Sequence, residues 1–264
     1  MGRLDPVTFG FEQERGFEPE SGPVFDHESA GLQEAAVLNA RFAGLSARAL
    51  IERALVEIFP GRIALVSSFG AESAVLLHLV ASVDRNVPVV FMDTLRLFPE
   101  TLAYRDTLVE RLGLTDVRTI TPDPVALASD DPYKALWMTN ADACCRIRKT
   151  EPLARAMEGF DAWFTGRKRF QAATRAAIQA FEQDGTRIKV NPLANWSIDD
   201  LKAHVAEHDL PPHPLVAQGY PSIGCQPCTS KVKPGEDARA GRWRGLDKTE
   251  CGIHLGLEND GSGI

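Results

Sequence analysis

Residues 62–80 read RIALVSSFGAESAVLLHLV, and this stretch decides the fold. Residues 62–66 are a short apolar run that predicts a buried strand, and residues 72–80 place Val75, Leu76 and Leu79 on one face, as in a helix. The link between them, residues 67–72, is a loop of small residues and glycine. In such a loop, backbone amides and hydroxyls at the start of a helix are suited to hold a phosphate. The sequence has neither GxxxxGK[ST] nor GxGxxG, so the loop alone is a weak signal.

The alternation of strands and helices continues along the chain. We predict further strands at 87–92, 117–120, 162–165 and 187–190, and helices at 28–42, 46–58, 99–112, 144–157, 172–181 and 197–208. This order predicts an α/β fold with a parallel sheet covered by helices. Ligands of such sheets bind beyond the carboxyl ends of the strands. The candidate binding loops are therefore residues 67–72, 93–97 and 166–171.

Three regions of the chain differ in composition. Residues 1–27 are rich in Gly, Pro and acidic residues, which predicts a poorly ordered arm. Residues 28–240 carry the α/β pattern and become irregular after Pro211. Residues 241–264 include several glycines, and we expect this C-terminal tail to be mobile.

Composition limits the class of protein. The chain has 264 residues, a formal net charge of −7 and 44% hydrophobic residues, which disfavours a general nucleic-acid binder. No apolar stretch approaches the roughly 20 residues that span a bilayer, so we expect no membrane association. The chain does not open with a secretory signal, so we expect a cytoplasmic protein. Positive charge is dense at residues 146–149, 167–169 and 231–244, which favours a small anionic substrate.

The five cysteines carry the strongest chemical signal. Cys144 and Cys145 are adjacent, Cys225 and Cys228 form a CxxC pair, and Cys251 lies apart near the C terminus. Two short segments that each supply two thiols predict a metal or cluster site. The spacing favours iron–sulfur over zinc, and a structural zinc site, plain buried cysteines and disulfides are the alternatives. The remaining thiol is a candidate nucleophile.

Taken together, these motifs resemble the assimilatory adenylyl-sulfate/phosphoadenylyl-sulfate reductase family. The resemblance runs from about residue 28 to His254. Its matching segments are SSFGAE (67–72), MDTLRLFPET (92–101), CCRIRK (144–149) followed by PL (152–153), GRKR (166–169), IGCQPCT (223–229) and KTECGIH (248–254).

The resemblance implies a fold and a reaction. The fold is a parallel, helix-covered sheet of the adenine-nucleotide α-hydrolase (PP-loop) type. The reaction is the reduction of a sulfonucleotide to sulfite and a nucleoside monophosphate, in sulfate assimilation and cysteine biosynthesis, with thioredoxin or a glutaredoxin-like dithiol as reductant. Members with both cysteine pairs typically carry one [4Fe–4S] cluster per chain and prefer adenosine 5′-phosphosulfate. We therefore predict an adenylyl-sulfate reductase, in which Cys251 forms an S-sulfocysteine and the cluster ligands are Cys144, Cys145, Cys225 and Cys228.

The resemblance also implies which residues contact the substrate. The nucleotide loop supplies Ser67, Ser68, Phe69, Gly70 and Glu72, and the adenine-binding turn supplies Thr94 and Leu95. The basic loop supplies Gly166, Arg167, Arg169 and Gln171, and the groups that face sulfate and phosphate are Lys149, Arg242, Arg244 and His254.

Three other functions stay open at this point. The first is a reductase whose substrate is the 3′-phosphorylated sulfonucleotide, either alone or together with the unphosphorylated form. A PP-loop ATP pyrophosphatase would want an SGGxDS-type loop and leaves the motif around Cys251 unexplained. A non-enzymatic zinc or iron–sulfur module predicts no loss of function when Cys251 is changed. The electron donor in the cell and the formation of a homo-oligomer also stay open.

Overall fold

The computed structural model describes residues 31–246 and 248–254, so the predicted arm and the first three residues of the predicted helix at 28–42 lie outside the described residues. Within the described part, six strands form one sheet. They are β1 (Ile63–Ser67), β2 (Val89–Met92), β3 (Val117–Ile120), β4 (Ala162–Phe164), β5 (Phe181–Asp184) and β6 (Arg187–Val190), in the order β3-β2-β1-β4-β6-β5. All neighbours are parallel except β5, which pairs antiparallel with β6.

Helices connect the strands, as the sequence predicts. In the described part they are α1 (Gly31–Arg41), α2 (Ala47–Arg53), α3 (Ser73–Ala81), α4 (Pro99–Leu112), α5 (Pro124–Asp130), α6 (Leu136–Thr139), α7 (Ala141–Cys145), α8 (Glu151–Ala156) and α9 (Ile198–Glu207). Wider π-turns extend α2 through Ala54–Ile58 and join α7 to α8 through Arg146–Thr150. The sequence analysis assigned no structure to α5 and α6, which are short and follow no clear apolar period.

The central strands β1, β2 and β4 are buried on both faces of the sheet because their side chains alternate between two apolar clusters. Ile63 and Leu65 of β1 pack in the larger cluster with α3, whereas Ala64 packs in the smaller one with Leu153 and Trp163. Successive strand residues point to opposite faces, so each cluster takes every second side chain. The resulting three layers, with helices on both sides of a mostly parallel sheet, confirm the predicted fold class.

The predicted helix over 172–181 is wrong. This stretch forms two 3-10 turns, Arg169–Gln171 and Ala173–Arg175, and then enters β5. Its alanines favour a helix, but three tertiary contacts hold it in another conformation. The Arg169 guanidinium donates to the carbonyl of Ile178, and the Asn39 side chain bonds both backbone groups of Phe181. Such contacts outweigh the small differences in helix propensity.

After α9 the described chain is irregular, as the sequence predicts. Short 3-10 turns occur at Val216–Gln218, Gln226–Cys228 and Gly252–His254. Isolated bridges join Leu97 to Cys225 and Thr229 to Arg242, so this segment folds back over the carboxyl ends of the strands. Among the residues that the structure describes, no helix is long and apolar enough to cross a membrane.

Candidate active site

The loop between β1 and α3 is anchored by a buried aromatic ring. Phe69 is fully buried, adopts a positive φ of 47° and packs edge-on against Phe91 at 5.3 Å between ring centroids. Its amide donates to the hydroxyl of Ser67 at 3.2 Å, which closes the turn. This anchor leaves Ser68 and Gly70 on the wall of a cavity, directly before the first turn of α3. Backbone amides at such a position are suited to an anion.

The cavity lies at the carboxyl ends of β1, β2 and β4 and has a volume of about 390 Å³. A cavity of this size accepts a small ligand. Leu76, Met92 and Phe170 contribute apolar wall, and the loops after the strands contribute polar groups. The position matches the rule that ligands of open α/β sheets bind beyond the strand ends.

The cavity is cationic, although the chain carries a net charge of −7. Its lining includes six lysine and arginine side chains and three acidic ones. The six are Lys149, Arg167, Lys168, Arg175, Arg239 and Arg242, and the three are Glu72, Asp237 and Glu250. A recess that gathers positive charge in an acidic protein attracts an anionic ligand.

The basic loop after β4 is tied to neighbouring acids. The Lys168 ammonium is 2% exposed and ion-paired with Glu72, which also accepts from Gln171 at 2.6 Å. Arg167 pairs with Glu182 on β5. Burial lowers the pKa of Lys168, and the Glu72 carboxylate opposes that shift. The loop is therefore held rigidly, with its charge partly compensated by the protein.

The C-terminal segment is held against the cavity by a buried ion pair. The Arg175 guanidinium donates from Nε and Nη2 to the two carboxylate oxygens of Glu250, each at 2.7 Å. Arg239 adds a bond to the carbonyl of Thr249 at 2.7 Å. A two-pronged pairing of this kind fixes orientation as well as distance. It brings Cys251, the next residue, to the cavity wall.

His254 lies deeper in the same cavity. Its ring stacks on Trp163, with 6.0 Å between centroids and 5° between planes, and its carbonyl accepts from Lys189 at 3.4 Å. Burial lowers the pKa of His254 well below its usual range, and the nearby cations Arg167 and Arg175 add to that shift. The imidazole is therefore neutral. Its buried Nδ1 has no hydrogen-bond partner among the described residues.

Arg242 has a second buried nitrogen of this kind. One Nη atom donates to the Ile223 carbonyl at 3.2 Å, while the buried Nε has no hydrogen-bond partner in the described part of the chain. Gly224 makes room for the guanidinium, since a Cβ there would lie 2.2 Å from Nη2. Buried polar atoms are almost always satisfied in proteins, so two unpaired nitrogens on one cavity point to a ligand.

Cys251 is the thiol of this cavity, and it is partly exposed. A hydrogen bond from the Cys145 thiol is the largest cause of a lowered pKa for Cys251. The Lys149 ammonium and the Ile253 amide act in the same direction, against burial, and they do so without needing a proton on Cys145. Thiols beside lysine or arginine are more readily ionised and therefore more reactive. The geometry thus provides a nucleophile beside cations and an anion-binding recess.

The other four cysteines line a smaller neighbouring recess. Cys144, Cys145 and Cys225 are buried, Cys228 is partly exposed, and none is in a disulfide. Lys149 lines both this recess and the large cavity. Burial lowers the pKa of Lys149, but the negative charge of the surrounding cysteine thiolates, Cys225, Cys251 and Cys145, outweighs that effect and raises it overall.

Two contacts position the adjacent cysteine pair opposite the CxxC. Arg148, buried on the same helical segment, pairs with buried Asp131 at 2.6 Å and donates to the Thr94 carbonyl at 3.0 Å. The Thr94 hydroxyl lies 3.2 Å from the sulfur of Cys225. The chain between α7 and α8 also widens into a π-turn at Arg146–Thr150, a distortion frequent at functional sites.

The four cysteines suit two kinds of metal centre. Among the described residues, no three cysteine sulfurs all lie within 4.8 Å of one another. A single tetrahedral Zn²⁺ with bonds of about 2.3 Å would hold its sulfurs about 3.8 Å apart. A four-iron cubane binds each thiolate to a different iron and so accepts a wider set. The four cysteines on one recess are a donor set for a metal ion or an iron–sulfur cluster.

The structure brings most of the residues predicted from sequence to one place. The lining of the large cavity includes Ser67, Ser68, Gly70, Glu72, Thr94, Lys149, Gly166, Arg167, Gln171, Arg242, Cys251 and His254.

Four predicted contact residues lie away from the cavity lining. Phe69 is in the core, and Leu95 is 55% exposed on its turn. Arg169 is exposed and bonded to Ile178, and Arg244 is exposed and paired with Glu236 at 2.9 Å. The two arginines point away from the cavity because each guanidinium is bonded to another group of the protein.

The structure also adds residues that the sequence analysis did not select. Arg175 fell inside the predicted helix, and Trp163 read as a strand residue only. Glu250 lay within the KTECGIH segment and Arg239 within a basic run, but neither position had an assigned role. Their roles depend on contacts with residues that are distant in sequence, and short sequence motifs do not indicate such contacts.

The fold and cavity indicate a class: an α/β protein with a cationic cavity beside a thiol. Comparison with known proteins gives the family. The family model of the phosphoadenosine phosphosulfate reductase domain matches residues 62–231. The adenosine 5′-phosphosulfate reductase of Mesorhizobium japonicum is 55% identical over 236 residues, covering 89% of this chain and 93% of that protein. The chain therefore belongs to the phosphoadenosine phosphosulfate reductase family.

More distant relatives agree with this assignment. The adenosine 5′-phosphosulfate reductase of Mycobacterium tuberculosis strain H37Rv is 44% identical over 184 residues, covering 69% of this chain and 72% of that protein. The crystal structure of phosphoadenylyl-sulfate reductase from Candida auris aligns with a TM-score of 0.65 and 28% identity, over 76% of this chain and 97% of that chain. The FMN adenylyltransferase of Candida glabrata, at 16% identity and a TM-score of 0.51 over 82% and 85% of the two chains, shares the PP-loop-type fold alone.

Proposed function

We propose that this protein reduces adenosine 5′-phosphosulfate to sulfite and AMP, with Cys251 as the nucleophile. The observation that carries the proposal is the position of the Cys251 thiol on a cationic cavity, beside Lys149 and Arg242. The names of the 55% and 44% identical relatives support the same substrate. The reaction belongs to the assimilation of sulfate.

The cavity is suited to each part of this substrate. The loop at Ser68 and Gly70 and the turn at Thr94 offer backbone and hydroxyl groups to the nucleoside, next to the apolar wall. The phosphosulfate group carries the negative charge, and we place it against Lys149, Arg242 and His254. The unpaired nitrogens of Arg242 and His254 can each contact one of its oxygens.

The chemistry proceeds in two thiol steps. The Cys251 thiolate attacks the sulfur of the phosphosulfate, the bond from sulfur to the phosphate oxygen breaks, and AMP leaves with the electron pair. The product is an S-sulfocysteine. A thiolate of a dithiol reductant such as thioredoxin then attacks the Cys251 sulfur and expels sulfite. The second thiol of the reductant resolves the mixed disulfide, which restores Cys251 and leaves the reductant oxidised.

The cations around Cys251 assist the first step in two ways. Lys149 and Arg242 favour the thiolate, which is the attacking form. The same two groups face the oxygens on which negative charge develops as AMP departs, and fixed charges in a recess stabilise such a transition state. Lys149 therefore acts on both nucleophile and substrate.

We propose that Cys144, Cys145, Cys225 and Cys228 hold one [4Fe–4S] cluster. Their convergence on one recess and the burial of three of the four support this cofactor. When bound, the cluster would supply fixed charge and a rigid frame next to Lys149, and we expect it to act without changing its oxidation state. Iron and sulfide analysis of protein prepared without oxygen should give about four of each per chain. Stoichiometric zinc without iron would refute the assignment.

The basic loop favours the substrate without a 3′-phosphate. Arg167 is paired with Glu182, Lys168 with Glu72, and Arg169 with a backbone carbonyl, so each of these cations already has a protein partner. An extra phosphate would have to compete with these partners. We expect kcat/KM for the unphosphorylated sulfonucleotide to be higher by about tenfold to a hundredfold, the worth of one charge-assisted contact. A reversed ratio would contradict this specificity.

Product analysis tests the reaction itself. The full chain, adenosine 5′-phosphosulfate and reduced thioredoxin should yield sulfite and AMP in equal amounts. A PP-loop ATP pyrophosphatase would instead give AMP and pyrophosphate from ATP. Absence of sulfite with both thioredoxin and a glutaredoxin-like reductant, from protein that holds its cofactor, would contradict the proposal.

A further inference from the structure

We propose that His78, His204 and His208 form a binding site for one divalent transition-metal ion of the Zn²⁺ class. The three imidazoles lie at the ends of α3 and α9, on the opposite side of the sheet from α8. One ring nitrogen of each lies within 4.8 Å of the other two. This site is independent of the sulfonucleotide chemistry, since none of the three residues lines the large cavity.

Helix geometry brings the three rings together. His204 and His208 are four residues apart, at the end of α9, so they project from the same face. His78 lies in the last turn of α3, which packs against α9. The ring centroids are 5.0 Å apart for His78 and His204, 4.3 Å for His78 and His208, and 4.4 Å for His204 and His208. The cluster is therefore a closed triangle of imidazoles.

The nitrogen positions are close to those of a metal centre. Nδ1 of His78 lies 3.0 Å from Nε2 of His204, a distance at which the two nitrogens share one proton. A tetrahedral Zn²⁺ with bonds of about 2.05 Å holds two nitrogens about 3.3 Å apart. This pair is therefore about 0.3 Å closer than in such a centre, and the His208 nitrogen lies within 4.8 Å of both. Three nitrogen ligands leave a fourth position for water.

Two neighbouring side chains support the cluster. The Trp196 ring packs edge-on against His204 and fixes its orientation. The Glu207 carboxylate lies 4.0 Å from Nε2 of His208 and can offset the charge of the ion. Imidazole ligands suit Zn²⁺, Cu²⁺ and Ni²⁺ over Mg²⁺ or Ca²⁺.

The ion would cross-link two helices that border the functional part of the molecule. α3 begins directly after the loop at residues 67–72, and α9 packs against it. Binding to the folded state alone raises its stability by mass action. The expected effect is therefore on stability, with turnover at saturating substrate unchanged.

The test uses the full chain with its cofactor and Zn²⁺ alone as the probe. Equilibrium dialysis followed by metal analysis should show one more tightly bound zinc per chain in the wild type than in His208→Gln. Loss of one ligand should weaken zinc binding by more than about tenfold. Changing a residue that only hydrogen-bonds a metal ligand already costs about that much in metal affinity. Lys202→Gln, on the exposed face of α9, is the matched control and should bind as the wild type does.

A spectroscopic arm separates this site from the cysteines. Co²⁺ bound to thiolates gives sulfur-to-metal charge-transfer absorption, whereas Co²⁺ bound to imidazoles does not. The difference spectrum between Co²⁺-loaded wild type and His208→Gln should lack the charge-transfer absorption. His208→Cys should bind Co²⁺ again and should show that absorption. Equal zinc content and equal thermal stabilisation by Zn²⁺ in wild type and His208→Gln would overturn the proposal. Loss of binding only in cysteine variants would do the same.

Discussion

Arg242 and Arg244 are two positions apart in the sequence but lie in different surroundings. Arg242 lines the cavity, and its Nε is buried without a hydrogen-bond partner among the described residues. Arg244 is exposed and paired with Glu236 at 2.9 Å. Trp243 between them is buried and adopts a positive φ of 47°, which turns the chain so that the two guanidinium groups diverge. The sequence motif alone treats both as equivalent cations.

We therefore expect different effects from the same substitution at these two positions. Arg242→Met keeps the apolar stem and removes the charge, so KM for the sulfonucleotide should rise about tenfold to a hundredfold. Arg244→Met should change KM less than about twofold, because an exposed ion pair contributes little. Steady-state kinetics of both variants would check this. Equal effects at the two positions would contradict the placement of substrate charge at Arg242.

At the scale of elements, the Arg175 turn and the C-terminal segment are joined by Glu250. The carboxylate is mostly buried and bonds Arg175 through both oxygens, and Arg239 lies 3.4 Å away. This contact connects a turn after β4 with the residue before the nucleophile. It holds Cys251, the nucleophile of the proposed reaction, at the wall of the cavity.

Glu250→Gln tests this contact. The variant keeps the shape of the side chain but loses its charge, so the rate of S-sulfocysteine formation in a single turnover should fall about tenfold to a hundredfold. AMP binding should not weaken, because the substitution removes a negative charge from an anion-binding cavity. Glu236→Gln, which removes an exposed partner of Arg244, is the matched control. A parallel loss of rate and of AMP affinity would mean that Glu250 supports the cavity instead of the tail.

The elements show which parts of the fold are readable from sequence. β1, β2, β4 and α3 carry continuous apolar runs, and their positions were predicted within about two residues. The helix predicted at 172–181 was wrong because its alanines favour a helix locally, whereas contacts with Asn39 and Glu250, both distant in sequence, and a bond from Arg169 stabilise turns and a strand. Because this stretch was predicted as a helix, β5 and its antiparallel pairing with β6 were not predicted either.

At the scale of the whole molecule, buried neutral histidines make stability depend on pH. His213 is 1% exposed. Its Nδ1 accepts from the Leu215 amide at 3.2 Å, so its Nε2 carries the proton and donates to the Thr101 hydroxyl at 3.1 Å. Burial lowers the pKa of His213 to about 4 from an ordinary 6.5. A second proton would displace the Leu215 bond.

We predict that His213 makes the folded state less stable in acid. The unfolded chain takes up a proton near pH 6.5 and the folded chain only near 4, so its contribution is complete above 6.5 and is lost as the pH falls through that window. At about 1.4 kcal/mol per pKa unit, the loss approaches about 3 kcal/mol. Urea unfolding of wild type and His213→Gln across this range should show their difference shrinking towards low pH. Parallel curves would contradict the assignment.

The candidate site was readable from sequence where chemistry has a local signature. The five cysteines, Lys149, Arg242 and His254 stand in short motifs, and the structure places all of them around two adjoining recesses. Arg175 and Trp163 have no such signature, because they act through Glu250 and His254 from distant parts of the chain. The cationic character of the cavity was also predicted, despite a net charge of −7, because the basic runs at 167–169 and 231–244 and Lys149 are visible in the sequence.

In the proposed reaction, sulfite leaves from a covalent intermediate on Cys251. The wild-type protein should be incubated with adenosine 5′-phosphosulfate without reductant, digested and analysed by mass spectrometry. We predict one added SO₃ group on the peptide that contains Cys251, released as sulfite by reduced thioredoxin. Cys251→Ser should bind AMP normally, carry no adduct and lose activity by on the order of 10³-fold or more. Sulfite production at the wild-type rate by Cys251→Ser, or an adduct on another cysteine, would contradict the assignment of Cys251 as the nucleophile.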